Sequence, residues 1–170
     1  MPIVLPGIAA TLDLVADQVT NQEDGRIGSQ GVLTASVTGL DQQGGKLFSN
    51  TRLSLDMHNG QLNNQGGLIN TPGALLLKQL NGINNQGGEI SSKQAFTLAT
   101  QNLDNSGGKL LSNQALTLRI TNVMNNLKGQ IGAAETTHKE TDQSFSERQP
   151  AAGSTPSLPD LRIGTRPVAW

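Results

Sequence analysis

Apolar residues recur along this chain as pairs separated by one position: Leu12 and Leu14, Leu33 and Ala35, Leu53 and Leu55, Leu75 and Leu77, Phe96 and Leu98, Leu116 and Leu118. Each pair is followed by a polar spacer, a turn-forming cluster and another aliphatic residue. Glycines fix the frame at Gly25, Gly45, Gly67, Gly88, Gly108 and Gly129, in steps of 20, 22, 21, 20 and 21 residues. Two residues after these stand Ile27, Leu47, Ile69, Ile90, Leu110 and Ile131. Five residues before the last five stand Leu40, Leu62, Ile83, Leu103 and Met124, whereas the first unit has Thr20 there. One unit therefore reads Leu-x-Leu, spacer, Leu-Asn-Asn-x-Gly-Gly-x-Leu. In the first and last units Asp24 and Lys128 replace the leading glycine of the pair.

Side chains at i and i+2 share one face of a strand, and no stretch of about ten residues keeps a period of 3.6. Each unit is thus strand, turn, strand, turn. The Asn-x-Gly-Gly cluster supplies the positive φ angles that a tight corner needs. One such unit cannot bury its apolar side, but coils stacked ~4.8 Å apart place like columns above one another and enclose a continuous interior. The expected fold is all-β, a parallel β-solenoid of about six coils over residues 10–133. Six coils make a rod on the order of 29 Å long. On this register Leu103 faces inward and Lys109 faces solvent.

The column directly after Leu40, Leu62, Ile83, Leu103 and Met124 holds Asp41, Asn63, Asn84, Asp104 and Asn125. Two readings apply. In one, these side chains satisfy turn backbone groups and stack as an amide ladder. In the other, the acidic members bind a metal, but they stand singly between amides and not as the carboxylate cluster that calcium requires. No metal ligand is assigned.

Composition narrows the picture. Aromatic residues make up 2% of the chain, with no Tyr, so the interior must be filled by closely packed aliphatic side chains. The net charge of -1 and charged content of 15% supply no basic field for DNA, RNA or anionic lipid, and no nucleic-acid partner is expected. The absence of Cys excludes disulfides, thiolate metal sites and a Cys nucleophile. No stretch approaches the roughly 20 apolar residues of a membrane-spanning helix. Residues 1–9 form a lead-in whose Pro2 and Pro6, with no preceding Lys or Arg, do not make a signal peptide. Residues 134–170 hold Pro150, Pro156, Pro159 and Pro167 of the seven prolines and no repeat, and read as a flexible tail.

Segments such as Leu103-Asp104-Asn105-Ser106-Gly107-Gly108-Lys109-Leu110 and Leu62-Asn63-Asn64-Gln65-Gly66-Gly67-Leu68-Ile69 resemble the haemagglutinin repeats of filamentous haemagglutinins and of contact-dependent inhibition exoproteins. The resemblance covers about residues 10 to 133. It implies a right-handed β-helix shaft within a very large exoprotein, exported through an outer-membrane two-partner transporter to the surface of a Gram-negative bacterium. Such a shaft carries adhesive regions or a toxin toward a host or target-cell receptor, and neighbouring coils of a longer parent chain flank it. The family's Asn-Pro-Asn-Gly secretion motif and Val-Glu-Asn-Asn pretoxin motif do not occur in this sequence.

No catalytic or cofactor-binding residue is assigned. His58 falls in a repeat turn and His138 in the tail, neither with a Ser and an acid at a suggestive spacing. Glu89 lacks the acidic partner that glycoside hydrolysis needs. Gly44-Gly45-Lys46 lacks the upstream glycine and following hydroxyl of a phosphate loop. The outward row Asp13, Thr34, Ser54, Leu76, Thr97 and Thr117 is partly hydroxyl-bearing, and leaves open a β-helix that binds or degrades carbohydrate. A leucine-rich horseshoe is disfavoured, because Asn59, Asn81, Asn102 and Asn122 fall four residues after the Leu-x-Leu pair and no helical segment follows.

Overall fold

In the computed structural model, residues 10–134 are described and every regular element among them is a strand. The lead-in at 1–9, His138, and the expected tail from residue 135 onward lie outside the described residues.

The repeat unit dictates one coil. The Leu-x-Leu pair opens a strand, the Asn-Gly-Gly cluster turns the chain, and a short strand carries it back. The first coil comprises β1 (Leu12–Val15), β2 (Gln18–Thr20) and β3 (Arg26–Ser29), and the second β4 (Val32–Ser36), β5 (Gly39–Asp41) and β6 (Lys46–Ser49). From the third coil on, the first two strands merge. The third coil is β7 (Arg52–Asn63) with β8 (Leu68–Thr71), and the fourth is β9 (Ala74–Asn84) with β10 (Glu89–Ser92). The fifth is β11 (Phe96–Asp104) with β12 (Lys109–Ser112), and the sixth β13 (Leu116–Asn125) with β14 (Gln130–Ala133).

All pairings are parallel and join the same element of successive coils. One sheet runs β1-β4-β7-β9-β11-β13, with β2 beside β5 and β5 beside β7, and the other runs β3-β6-β8-β10-β12-β14. Register follows the sequence columns: Leu33 pairs with Leu53, Leu53 with Leu75, Leu40 with Leu62, and Ile90 with Leu110. The 22-residue step has a local cause. Ser36 of β4 pairs with Asp56 of β7, 20 residues on, but Gly39 of β5 pairs with Gln61, 22 residues on, and in between His58 and Asn59 take φ of 49° and 66°. The two extra residues form a bulge and leave the columns on either side aligned.

Burial confirms the assigned faces. Leu33, Leu53, Leu75 and Leu98 are at most 1% exposed, as are Leu47, Ile69, Ile90 and Leu110 from the second sheet. Leu103 is buried and Lys109 exposed, as the register requires. The outward row stacks as expected, Asp13 beside Thr34 and Thr97 beside Thr117, but Ser54 within it is buried and Leu76 half-buried.

Candidate functional site

What distinguishes this solenoid from a plain aliphatic stack is the chemistry of its corners. Twelve polar residues are buried among the described residues, and ten of them fall in two columns. One column is amide and one is hydroxyl.

The amide column is Asn21, Gln42, Asn64, Asn85, Asn105 and Asn126. Each Nδ2 or Nε2 donates to the amide oxygen one coil further along: Asn21 to Gln42 at 3.0 Å, Gln42 to Asn64 at 3.0 Å, Asn64 to Asn85 at 2.7 Å, Asn85 to Asn105 at 2.6 Å and Asn105 to Asn126 at 2.7 Å. The second amide proton reaches a backbone carbonyl of that next coil, as Asn64 does to Glu89 and Asn85 to Lys109, both at 3.1 Å. Every rung must both donate and accept. A carboxylate only accepts, which is why no Asp occupies this column.

The ladder therefore lies one residue beyond the column expected to form it. The expected residues do satisfy turn backbone: Asn63, Asn84, Asp104 and Asn125 accept the N–H of Gln65, Gln86, Ser106 and Leu127 through their Oδ1 atoms. That role needs only an acceptor, so Asp104 fills it from the end of β11, whereas the half-buried Asp41 carboxylate accepts the side-chain amides of Gln22 and Asn63 at 2.8 and 3.0 Å.

The glycine pair serves two distinct needs. The leading glycines Gly44, Gly66, Gly87 and Gly107 all have φ between 64° and 69°, and Asp24 and Lys128 adopt the same left-handed region at 68° and 59°. The second glycine is required for space. A Cβ on Gly45, Gly88, Gly108 or Gly129 would overlap the carbonyl oxygen of Asn21, Asn64, Asn85 or Asn105 respectively in the coil before.

The hydroxyl column closes four of the six coils on themselves; the third coil has Thr71 in this column and the sixth Ala133. Ser29, Ser49, Ser92 and Ser112 donate through Oγ to the carbonyls of Ala10, Gly31, Gly73 and Gln94 at 2.6 to 3.0 Å. The same oxygens accept backbone N–H groups two residues on, from Gly31, Thr51, Gln94 and Gln114.

One surface cluster was hidden in the sequence. The bulge in β7 turns His58 back so that its Nε2 lies 2.7 Å from Ser36 Oγ one coil below, while Nδ1 lies 3.8 Å from Asp56 Oδ1. The spacing along the chain gave no sign of this meeting, because 22 residues of separation become one coil of height. The cluster does not have the geometry of a nucleophilic triad. Asp56 Oδ1 accepts the backbone N–H of His58 at 3.1 Å, and the 3.8 Å to the ring exceeds a hydrogen bond. The N–H after Ser36, that of Val37, already donates to the Asp56 carbonyl at 3.0 Å and is withheld from any oxyanion.

The other residues weighed from sequence remain apart. Glu89 accepts a hydrogen bond from Ser91 Oγ and pairs in register with Leu68 and Lys109. Lys46 lies in the outward column that also holds Arg26, whose guanidinium sits 5.8 Å from the Phe48 ring centroid. Among the described residues no three His, Asp or Glu side chains gather as metal ligands, and no helix is long and apolar enough to cross a membrane. An open groove follows the Gly-Gly turns past Gln22, Glu23, Gln43 and Gln65.

Two parallel sheets wound as one rod, with an amide ladder at one corner and a hydroxyl clasp at another, define a β-solenoid of the kind whose coils stack into a shaft. The sequence matches the haemagglutinin repeat over residues 7–56, 49–131 and 97–144, and the chain belongs to that filamentous haemagglutinin-like repeat family. No curated protein and no solved structure matches it.

Proposed function

We propose that this chain is a shaft segment of a large exported bacterial exoprotein, holding an adhesive or toxin-bearing region away from the surface of a Gram-negative cell, with no catalysis of its own. The observation that carries the reading is the uniformity of the interior. The same aliphatic, amide and hydroxyl columns run through successive coils without a break for a cleft or a cluster of reactive groups. The family match to a repeat found in secreted and surface exoproteins fits that role. In this reading the residues before the first coil and after the last connect the rod to further segments, and a two-partner transporter carries the parent across the outer membrane.

The test is an epitope placed at the exposed Asn113-Gln114 turn in the source bacterium. The expected result is a tagged species on intact cells, removed by external protease, and far larger than 17.8 kDa on an immunoblot. A 17.8 kDa tagged species protected inside the cell would refute the shaft reading.

A further inference from the structure

The sequence contains two Asn-Gly dipeptides, Asn59-Gly60 in β7 and Asn81-Gly82 in β9. Of all residues that can follow asparagine, glycine leaves its own backbone nitrogen the least hindered and the most able to turn toward the side chain before it. The two dipeptides lie one coil apart and in different surroundings.

Asn59 stands at the tip of the bulge in the third coil. Pairing with the coil before stops at Asp56 and resumes at Gln61, and pairing with the coil after stops at Asp56 and resumes at Gly60. Among the described residues Met57, His58 and Asn59 therefore have no register partner in either neighbouring coil. His58 and Asn59 are successive left-handed residues, a conformation that side chains other than glycine rarely adopt. Met57 is fully buried and His58 is held against Ser36, so the run is anchored on its leading side and Asn59 is left exposed. Asn81 differs in each respect. It is half-buried, takes no left-handed φ, and lies between the buried Leu80 and Gly82. Gly82 is held in register with Gln61 on one side and Asn102 on the other, and the Gln61 side chain covers it so closely that a Cβ there would come within 2.2 Å of Oε1.

From this contrast we infer that Asn59 is a site of spontaneous deamidation in the folded chain, and that the fold withholds the same chemistry from Asn81. The Gly60 backbone nitrogen gives up its proton to base and attacks Asn59 Cγ. The N–Cγ bond forms, the Cγ–Nδ2 bond breaks, and Nδ2 leaves as ammonia, which closes a succinimide ring. Water then opens the ring. Breaking the new N–Cγ bond gives aspartate, and breaking the original peptide bond gives isoaspartate, whose backbone runs through the side chain and is one atom longer. Ring closure needs the peptide plane between the two residues to rotate. At Asn59 no ladder partner of residues 57–59 resists that rotation, whereas at Asn81 it would pull Gly82 out of register with both neighbouring coils. Either product sets a new carboxylate next to His58 and close in sequence to Asp56. Isoaspartate also lengthens the bulge where Gly60 already lies against the Thr38 carbonyl, so this corner must loosen from the coil before. The chemistry follows from local geometry and does not depend on export or display of a parent protein.

The full-length chain is warmed at mildly alkaline pH, once folded and once in urea, and sampled over time by tryptic peptide mapping. Circular dichroism checks that the first sample keeps its strands. The tryptic peptide 53–78 carries Asn59 and the peptide 79–93 carries Asn81, and fragment spectra assign each gain of one mass unit to its residue. A methyltransferase specific for isoaspartate reports the second product. In the folded chain Asn59 should convert at least tenfold faster than Asn81, with isoaspartate appearing in the peptide 53–78. In urea the two should convert at similar rates, because both are then Asn-Gly in an open chain. Equal rates in the folded chain, or faster conversion at Asn81, would overturn the inference. So would a folded chain in which Asn59 converts at less than a tenth of its rate in urea, since the bulge would then protect it as a ladder does.

Discussion

The amide ladder can be broken at one rung without touching the aliphatic core, and Asn85 is the rung to choose because it is fully buried with neighbours on both sides. Its Oδ1 accepts from Asn64 at 2.7 Å, and its Nδ2 donates to Asn105 Oδ1 at 2.6 Å and to the Lys109 carbonyl at 3.1 Å. In Asn85→Ala, Asn64 keeps the Glu89 carbonyl as an acceptor, but Asn105 Oδ1 loses its donor outright. One buried orphan costs about 1 to 3 kcal/mol, and the small void adds to it, for a total of about 2 to 5 kcal/mol. That corresponds to a fall in Tm on the order of 10 °C for a unit of this size. Asn84→Ala is the matched control. Asn84 is half-buried and caps the N–H of Gln86, a group water can reach, so its loss costs about 0.5 to 1 kcal/mol. Asn85→Asp separates volume from donors, since it fills the same space but cannot donate to Asn105, and it should be at least as damaging as Ala. Thermal and urea unfolding followed by far-ultraviolet circular dichroism measures all three. An Asn84→Ala chain as unstable as Asn85→Ala, or an Asn85→Asp chain as stable as the wild type, would refute the ladder as the structural element at this corner.

Two other perturbations follow from the columns. Leu103→Asp places an unpaired carboxylate among aliphatic side chains and should cost several kcal/mol, whereas Lys109→Glu should change stability by no more than about 0.5 kcal/mol; reversed melting temperatures would mean the strand register is off by one. At the Gly-Gly turn, Gly107→Asn keeps a left-handed residue where nearby space is open and should be tolerated to within about 1 kcal/mol, while Gly108→Ala forces the coil away from the Asn85 carbonyl and should unfold the chain at a markedly lower temperature, as the same melts would reveal.

The fold was legible because its two signals are independent and agree. The Leu-x-Leu pairs fix which face is inward, and the glycine frame fixes the number of residues in each coil, so the sequence alone places Leu103 inward and Lys109 outward. The ladder was misplaced by one residue because Asn63 and Asn64, like Asn84 and Asn85, are adjacent amides that composition alone does not separate. The discriminating signal was present: Asp41 and Asp104 interrupt one column, and all six members of the next are amides. The meeting of Ser36 and His58 was not legible, since it depends on a bulge whose positive φ angles fall on His58 and Asn59, residues that only the following Gly60 hints at. The hydroxyl clasp is equally quiet in sequence, because a serine at the end of a short strand reads as an ordinary surface residue until the coil closes.

Strands that lie across the axis of a rod put their hydrogen bonds along it, and this sets how such a rod answers a pull. Tension applied between the first and last coils falls on one rung at an end rather than on all rungs at once, so the coils give way by peeling. Each coil released exchanges a rise of ~4.8 Å for a thread of some 21 residues, about 70 Å when drawn out. A stack of these coils is stiff at rest and lengthens more than tenfold, turn by turn, under load. For anything it joins, it is a tether that yields in steps before it breaks.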